Sequence, residues 1–177
     1  MARLLLFAFI LILSACLKED EITNDINGFT IDNKFYPTPY GSYQNTGGYK
    51  DFTFDFYDKE IEKNPGGRYD FLGLENETLN YFAASNLTLE SEGDFLGNFF
   101  YDDTYALPLG IDDFIYSADL EFDFYSRVIN PPTYKTTGGT FIINSKVGQY
   151  FDIEYKATFD NGVTVNGFFK GDLILRD

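Results

Sequence analysis

Apolar and polar residues alternate with a period of two along most of this chain, and that period commits it to extended strands with one wet face. Asp51-Phe52-Thr53-Phe54-Asp55-Phe56 carries the pattern, and Asp119-Leu120-Glu121-Phe122-Asp123-Phe124 repeats it. A third run puts Phe151, Ile153, Tyr155, Ala157 and Phe159 on one face and Asp152, Glu154, Lys156 and Thr158 on the other. Successive side chains of a strand point to opposite faces, so each run reads as a half-buried antiparallel strand. Beyond residues 1–15, no segment longer than one turn has the 3.6-residue period of an amphipathic helix.

Turn chemistry falls between the runs. Asp32-Asn33 separates residues 28–31 from 34–36, and Ser145-Lys146-Val147-Gly148 separates two further runs. Asp160-Asn161-Gly162 precedes Val163, and its Asn-Gly pair predicts a type I′ hairpin. The prolines, at 37, 39, 65, 108, 131 and 132, fall in segments read as loops, where a missing N–H costs no ladder bond.

Strands are expected near 28–31, 34–36, 50–57, 68–74, 79–84, 86–90, 97–101, 114–124, 139–144, 149–159 and 163–174, merging to about nine or ten. The fold class is all-β: an antiparallel meander closing as a barrel, with a two-sheet β-sandwich as the alternative. Residues 27–177 form a single domain, long enough to bury a core without disulfides.

The first residues have a different composition. Arg3 precedes an unbroken apolar run over 4–13, and the small residues Ser14 and Ala15 follow, as in a secretory signal peptide. The run is shorter than the roughly 20 residues that a spanning helix needs. Leu13-Ser14-Ala15-Cys16 resembles the bacterial lipobox, which implies removal of residues 1–15 and lipid on the Cys16 thiol. One acyl chain holds only marginally, so durable attachment takes more than one. Residues 16–26 then read as an acidic tether. Within it Lys18-Glu19-Asp20 resembles the export tag of Bacteroidota surface lipoproteins, implying an outer-membrane location that faces the exterior.

The last third adds a resemblance of pattern. Gly139-Thr140-Phe141-Ile142-Ile143, Gly148-Gln149-Tyr150-Phe151-Asp152-Ile153 and the stretch Asp160-Asn161-Gly162 through Gly171 look like the closing strands of uncharacterised Bacteroidota lipoproteins. The resemblance covers about 35 residues plus the anchor, and it implies a calycin or lipocalin-like barrel. It carries no active site with it.

Composition narrows the chemistry. The chain has no histidine and one cysteine, Cys16, so Ser-His-Asp and Cys-His systems and the usual zinc ligands are missing. With 13 Lys and Arg against 28 Asp and Glu the net charge is −15, and removal of Arg3 makes it more negative. Nucleic acid needs clustered cations, so it is excluded as a partner, whereas the membrane is reached through the lipid.

Carboxylates remain. Asp55 and Asp123 alternate with aromatics and are expected on solvated faces. Asp102-Asp103 and Asp112-Asp113 flank one loop and supply the oxygen chemistry calcium takes, without EF-hand spacing; no other cofactor is indicated. Tyr36, Tyr40, Tyr43 and Tyr49 lie in a Gly/Pro-rich segment read as a loop, where tyrosines plug a barrel end or stack on a ligand. The sequons at Asn76 and Asn86 are read as chance matches.

The leading functional expectation is an outer-membrane lipoprotein serving as a non-catalytic binding or interaction module for a small ligand or partner protein. The alternatives are a small carboxylate-dependent hydrolase of envelope or dietary polysaccharide, which needs two facing acids, and a structural subunit of an outer-membrane assembly.

Overall fold

The computed structural model describes residues 26–47, 50–72, 78–91, 93–104, 109–121 and 134–176, and all regular structure in them is β. In chain order the strands are β1 (Gly28–Ile31), β2 (Lys34–Pro37), β3 (Tyr40–Gly47), β4 (Asp51–Tyr57), β5 (Ile61–Lys63), β6 (Tyr69–Phe71) and β7 (Thr78–Thr88). They continue with β8 (Gly97–Tyr101), β9 (Gly110–Ile111), β10 (Asp113–Glu121), β11 (Thr136–Val147), β12 (Tyr150–Phe159), β13 (Thr164–Asp172) and β14 (Ile174–Arg176).

Two large sheets form. The first has the order β2-β1-β13-β12-β11-β8-β9, the second β10-β7-β4-β3-β14, and β5 and β6 make a separate hairpin. None of them closes on itself, and the two-sheet sandwich is the architecture that fits. A meander survives only locally, in β1-β2, β3-β4, β5-β6 and β11-β12-β13. Elsewhere pairing is long-range: β1 adds to β13, and β14 runs parallel to β3.

Strands of one sheet cross those of the other. Along β12, Phe151 meets Tyr43 of β3 at 5.2 Å between ring centroids, Tyr155 meets Phe56 of β4 at 5.4 Å and Phe82 of β7 at 4.1 Å, and Phe159 meets Tyr116 of β10 at 4.6 Å. Successive strands of the second sheet thus lie over successive levels of one strand of the first, which is the orthogonal mode of sheet packing. Rings fill the space between, among them the fully buried Phe29, Phe54, Phe56, Phe82, Phe141 and Phe169. Each such side chain contributes about 1.5–3 kcal/mol on burial. Gly139 lets the crossing sheets approach, because a Cβ there would stand 2.5 Å from the Phe114 ring and 2.6 Å from the Lys156 carbonyl.

Several expectations change. The segment around Tyr40 and Tyr43 is not a loop but β3, because its residues complete a ladder with β4. Pro37 closes β2, an edge strand of the first sheet, where its missing N–H is tolerated. The runs 79–84 and 86–90 fuse into β7, with a bulge where the sequence breaks. The run 163–174 divides at Leu173, and its last residues change sheet. The type I′ turn lies at Asp32-Asn33, both with positive φ (49° and 65°). At Asn161-Gly162 only the glycine is left-handed (83°), and its N–H bonds the Phe159 carbonyl, the three-residue type I arrangement.

Candidate functional site

The bulge in β7 builds a concave polar feature on the described surface. Phe52 pairs with Leu87 and Phe54 with Ala84, so Ser85 and Asn86 together oppose Thr53. Asn86 takes a left-handed φ of 52°, and its N–H donates to Thr53 Oγ1 at 3.3 Å. Asparagine tolerates this region better than other residues with a Cβ. A bulge re-aims the side chain it carries, and here Asn86 becomes the centre of a polar relay. Thr46 Oγ1 donates to Asn86 Oδ1 (3.0 Å), and Asn86 Nδ2 donates to Asp112 Oδ2 (2.9 Å). Beside it Thr88 Oγ1 donates to Asp51 Oδ1 (3.0 Å).

These side chains and Gly47 line an open cleft of about 340 Å³. Both hydroxyl protons and one amide proton are spent within the wall. What remains towards the cleft is chiefly acceptor capacity: the second carboxylate oxygens of Asp51 and Asp112 and the lone pairs of Thr46 and Thr88. A ligand rich in O–H or N–H groups complements such a surface.

A second polar group lies on the outer face of the same sheet. Asp55 is buried there, contrary to the solvated position expected from alternation. It accepts from the Tyr81 hydroxyl and from Arg176 Nη2. Arg176 arrives from β14, two strands away, which no local pattern reveals. Burial pushes the Asp55 carboxyl up while Arg176 and Tyr81 pull it back, and burial beside Asp55 raises Tyr81 well above the ordinary tyrosine value. Tyr57, nearby on β4, is pushed up to about 12 by burial. The Tyr57 and Ser42 hydroxyls and Arg176 Nε are buried without a hydrogen bond of good geometry among the described residues, the two hydroxyls interacting weakly with each other. Burial also raises Asp58, which accepts from Asn80.

The other candidates separate. Asp102 N–H donates to the Ile111 carbonyl (3.0 Å), so the two acidic pairs approach through the parallel β8–β9 contact. Their carboxylates turn to different tasks. Asp102 Oδ1 accepts from Thr104 (2.5 Å from its hydroxyl), Asp112 from Asn86, and Asp113 Oδ1 from Thr136 Oγ1 (2.5 Å); Asp103 lies exposed in the turn after β8. No group of three or more acids placed for a metal occurs among the described residues. Of the tyrosines, Tyr43 is core, stacked on Phe54 at 5.8 Å; Tyr36 stacks on Phe29 at 5.4 Å; Tyr40 is exposed at the start of β3. Tyr49, Asp123 and Asn76 lie outside the described residues, as do the lipobox residues Leu13, Ser14 and Ala15, Cys16, and the tag residues Lys18, Glu19 and Asp20.

Sequence reasoning missed Thr46, Asp51, Asn86, Thr88 and Arg176 as site residues. Only Asn86 left a trace, as the break between the two runs that β7 joins. No family model, curated protein or solved structure matches this chain.

Proposed function

We propose that this chain is a cell-surface lipoprotein, held to the outer membrane by lipid on Cys16, whose sandwich binds a donor-rich polar ligand non-catalytically in the Asp51–Asn86–Asp112 cleft. The observation that carries the binding reading is the acceptor-rich cleft itself, held open by a left-handed residue in a bulge. Non-glycine residues held at positive φ tend to occur at functional sites. Aromatic rings occupy the space between the sheets, which speaks against an apolar ligand carried inside. Hydrolysis of a glycoside asks for a carboxyl of raised pKa beside a second carboxylate. Burial raises Asp55 and Asp58, and neither lines the cleft. The anchor reading rests on the lipobox and the acidic tag that follows it.

Titration of the isotopically labelled protein with glucose and with glucosamine, followed by amide and side-chain NMR, tests the binding reading. Shifts concentrated at Thr46, Asn86 and Thr88, and lost in Asp51→Asn, are expected. Shifts confined to other surfaces would remove the cleft from the function. For the anchor, the wild-type protein is expected to carry an acyl mass that Cys16→Ser lacks.

A further inference from the structure

One end of the sandwich differs in character from the rest of a strongly acidic protein. The first sheet ends there in the β11–β12 hairpin, where Val147 pairs with Tyr150 and Tyr150 with Asp172 of β13. The Leu173 N–H donates to the Gln149 carbonyl at 2.9 Å, which brings the start of β14 to the same rim. Because the sheets cross, β14 is the strand of the second sheet that lies outermost at this end, flanking β3 beyond the level of Phe151. The chain also enters here. Asn27 accepts from Lys170 N–H (2.7 Å) and donates to the Lys170 carbonyl (3.0 Å), so Ile26 stands beside the end of β13.

Five apolar side chains are exposed around this rim. Val147 is 75% and Ile26 57% exposed, and Tyr150, Ile174 and Leu175 are each exposed by more than a third. Charges on the ends of β11, β12 and β13 balance, with Lys146 and Lys170 against Asp152 and Asp172, and Lys170 pairs with Asp152 at 3.1 Å. In a chain of net charge −15, strand ends whose charges balance beside exposed apolar side chains are a departure, with the unbalanced acidic residues of this end carried on the tether that enters there.

Chain length says what can cover it. From Cys16 to Ile26 the backbone reaches at most roughly 33–36 Å. The ten residues of β12 extend roughly 34 Å. A domain standing on its opposite end would need nearly the whole tether drawn straight along its side. Standing on the Ile26 end requires none of that reach.

We propose that the rim formed by Ile26, Val147, Tyr150, Ile174 and Leu175 is the face this domain lays against the lipid surface that holds Cys16. This rests on the lipidation reading above. The aliphatic side chains enter the interfacial layer, and Tyr150 supplies an apolar ring with a polar tip suited to that depth. Lipid attachment supplies the affinity, and the rim sets orientation.

The full chain, matured in a diderm host and reconstituted into phosphatidylcholine vesicles with brominated acyl chains, tests this. Cys16 is the only native cysteine and would be blocked, so Val147→Cys and Lys135→Cys can each take a single bimane label. Lys135 is exposed at the other end, where its carbonyl accepts from Asp160 N–H. Quenching several-fold stronger at position 147 than at 135 is expected, and Tyr150→Glu added to Val147→Cys should reduce it. Equal quenching at the two positions in protein that floats with the vesicles overturns the orientation and leaves the anchor standing. Protein that does not float overturns both.

Discussion

Asp51 and Asp55 sit four residues apart on the same face of one strand, and they have opposite fates. Asp51 lies where β4 enters the sheet, accepts from one hydroxyl, and keeps an oxygen towards an open cleft. Asp55 lies mid-strand, buried, bonded to Tyr81 and paired with Arg176. Alternation predicts the face of each and nothing more. What decides their roles is which other strand supplies partners to that part of the face: the bulge of β7 frames one, and the Arg176 side chain reaches across from β14 to the other.

The largest effect should come from opening the closed site. Arg176→Met leaves a buried carboxylate without its cation, and a loss of about 3–5 kcal/mol is expected in urea unfolding. Asp55→Leu added to Arg176→Met should recover most of it, since an apolar pair of similar volume is often no worse than a buried ion pair. A double variant as unstable as the single one would mean that Arg176 acts through packing.

Alkaline pH probes the same region. Between pH 10 and about 12 the unfolded chain has lost the Tyr57 proton while the folded chain retains it. The Tyr57 contribution to stability is therefore complete below pH 10 and falls as pH rises through this window, by about 2–3 kcal/mol, and the raised Tyr81 adds to the fall. Tyr57→Phe should flatten that slope. It should cost little at pH 7, because the hydroxyl it removes makes no hydrogen bond of good geometry among the described residues.

Smaller effects belong to the open site. Asn86→Ala places an ordinary residue at a left-handed φ and breaks two side-chain bonds, with an expected loss of about 1–2 kcal/mol by thermal unfolding. Asn86→Gly relieves the backbone and should lose less, while abolishing the NMR response of the cleft. Asp51→Asn should change stability by less than about 0.5 kcal/mol, as surface substitutions do, and should act on ligand alone. If it destabilised as strongly as Arg176→Met, the contrast between the two aspartates would fail.

What the sequence by itself determined is local. The period of two in residues 151–159 reappears in β12 with Phe151, Ile153, Tyr155, Ala157 and Phe159 all buried. The absence of histidine likewise restricts the chemistry open to any fold. Strand identity follows from neighbours a few residues apart, so it is legible in one dimension. Only the tertiary structure decided that the segment at Tyr40 is a strand, that Asp55 is interior, and that Thr46, Asp51, Asn86, Thr88 and Asp112 share one cleft. Each depends on pairing between separate segments, near or far in the chain, such as Ser42 with both Asp55 and Ile174. Alternation is the same whether a face meets water or another strand, so burial of that face is settled by what folds over it.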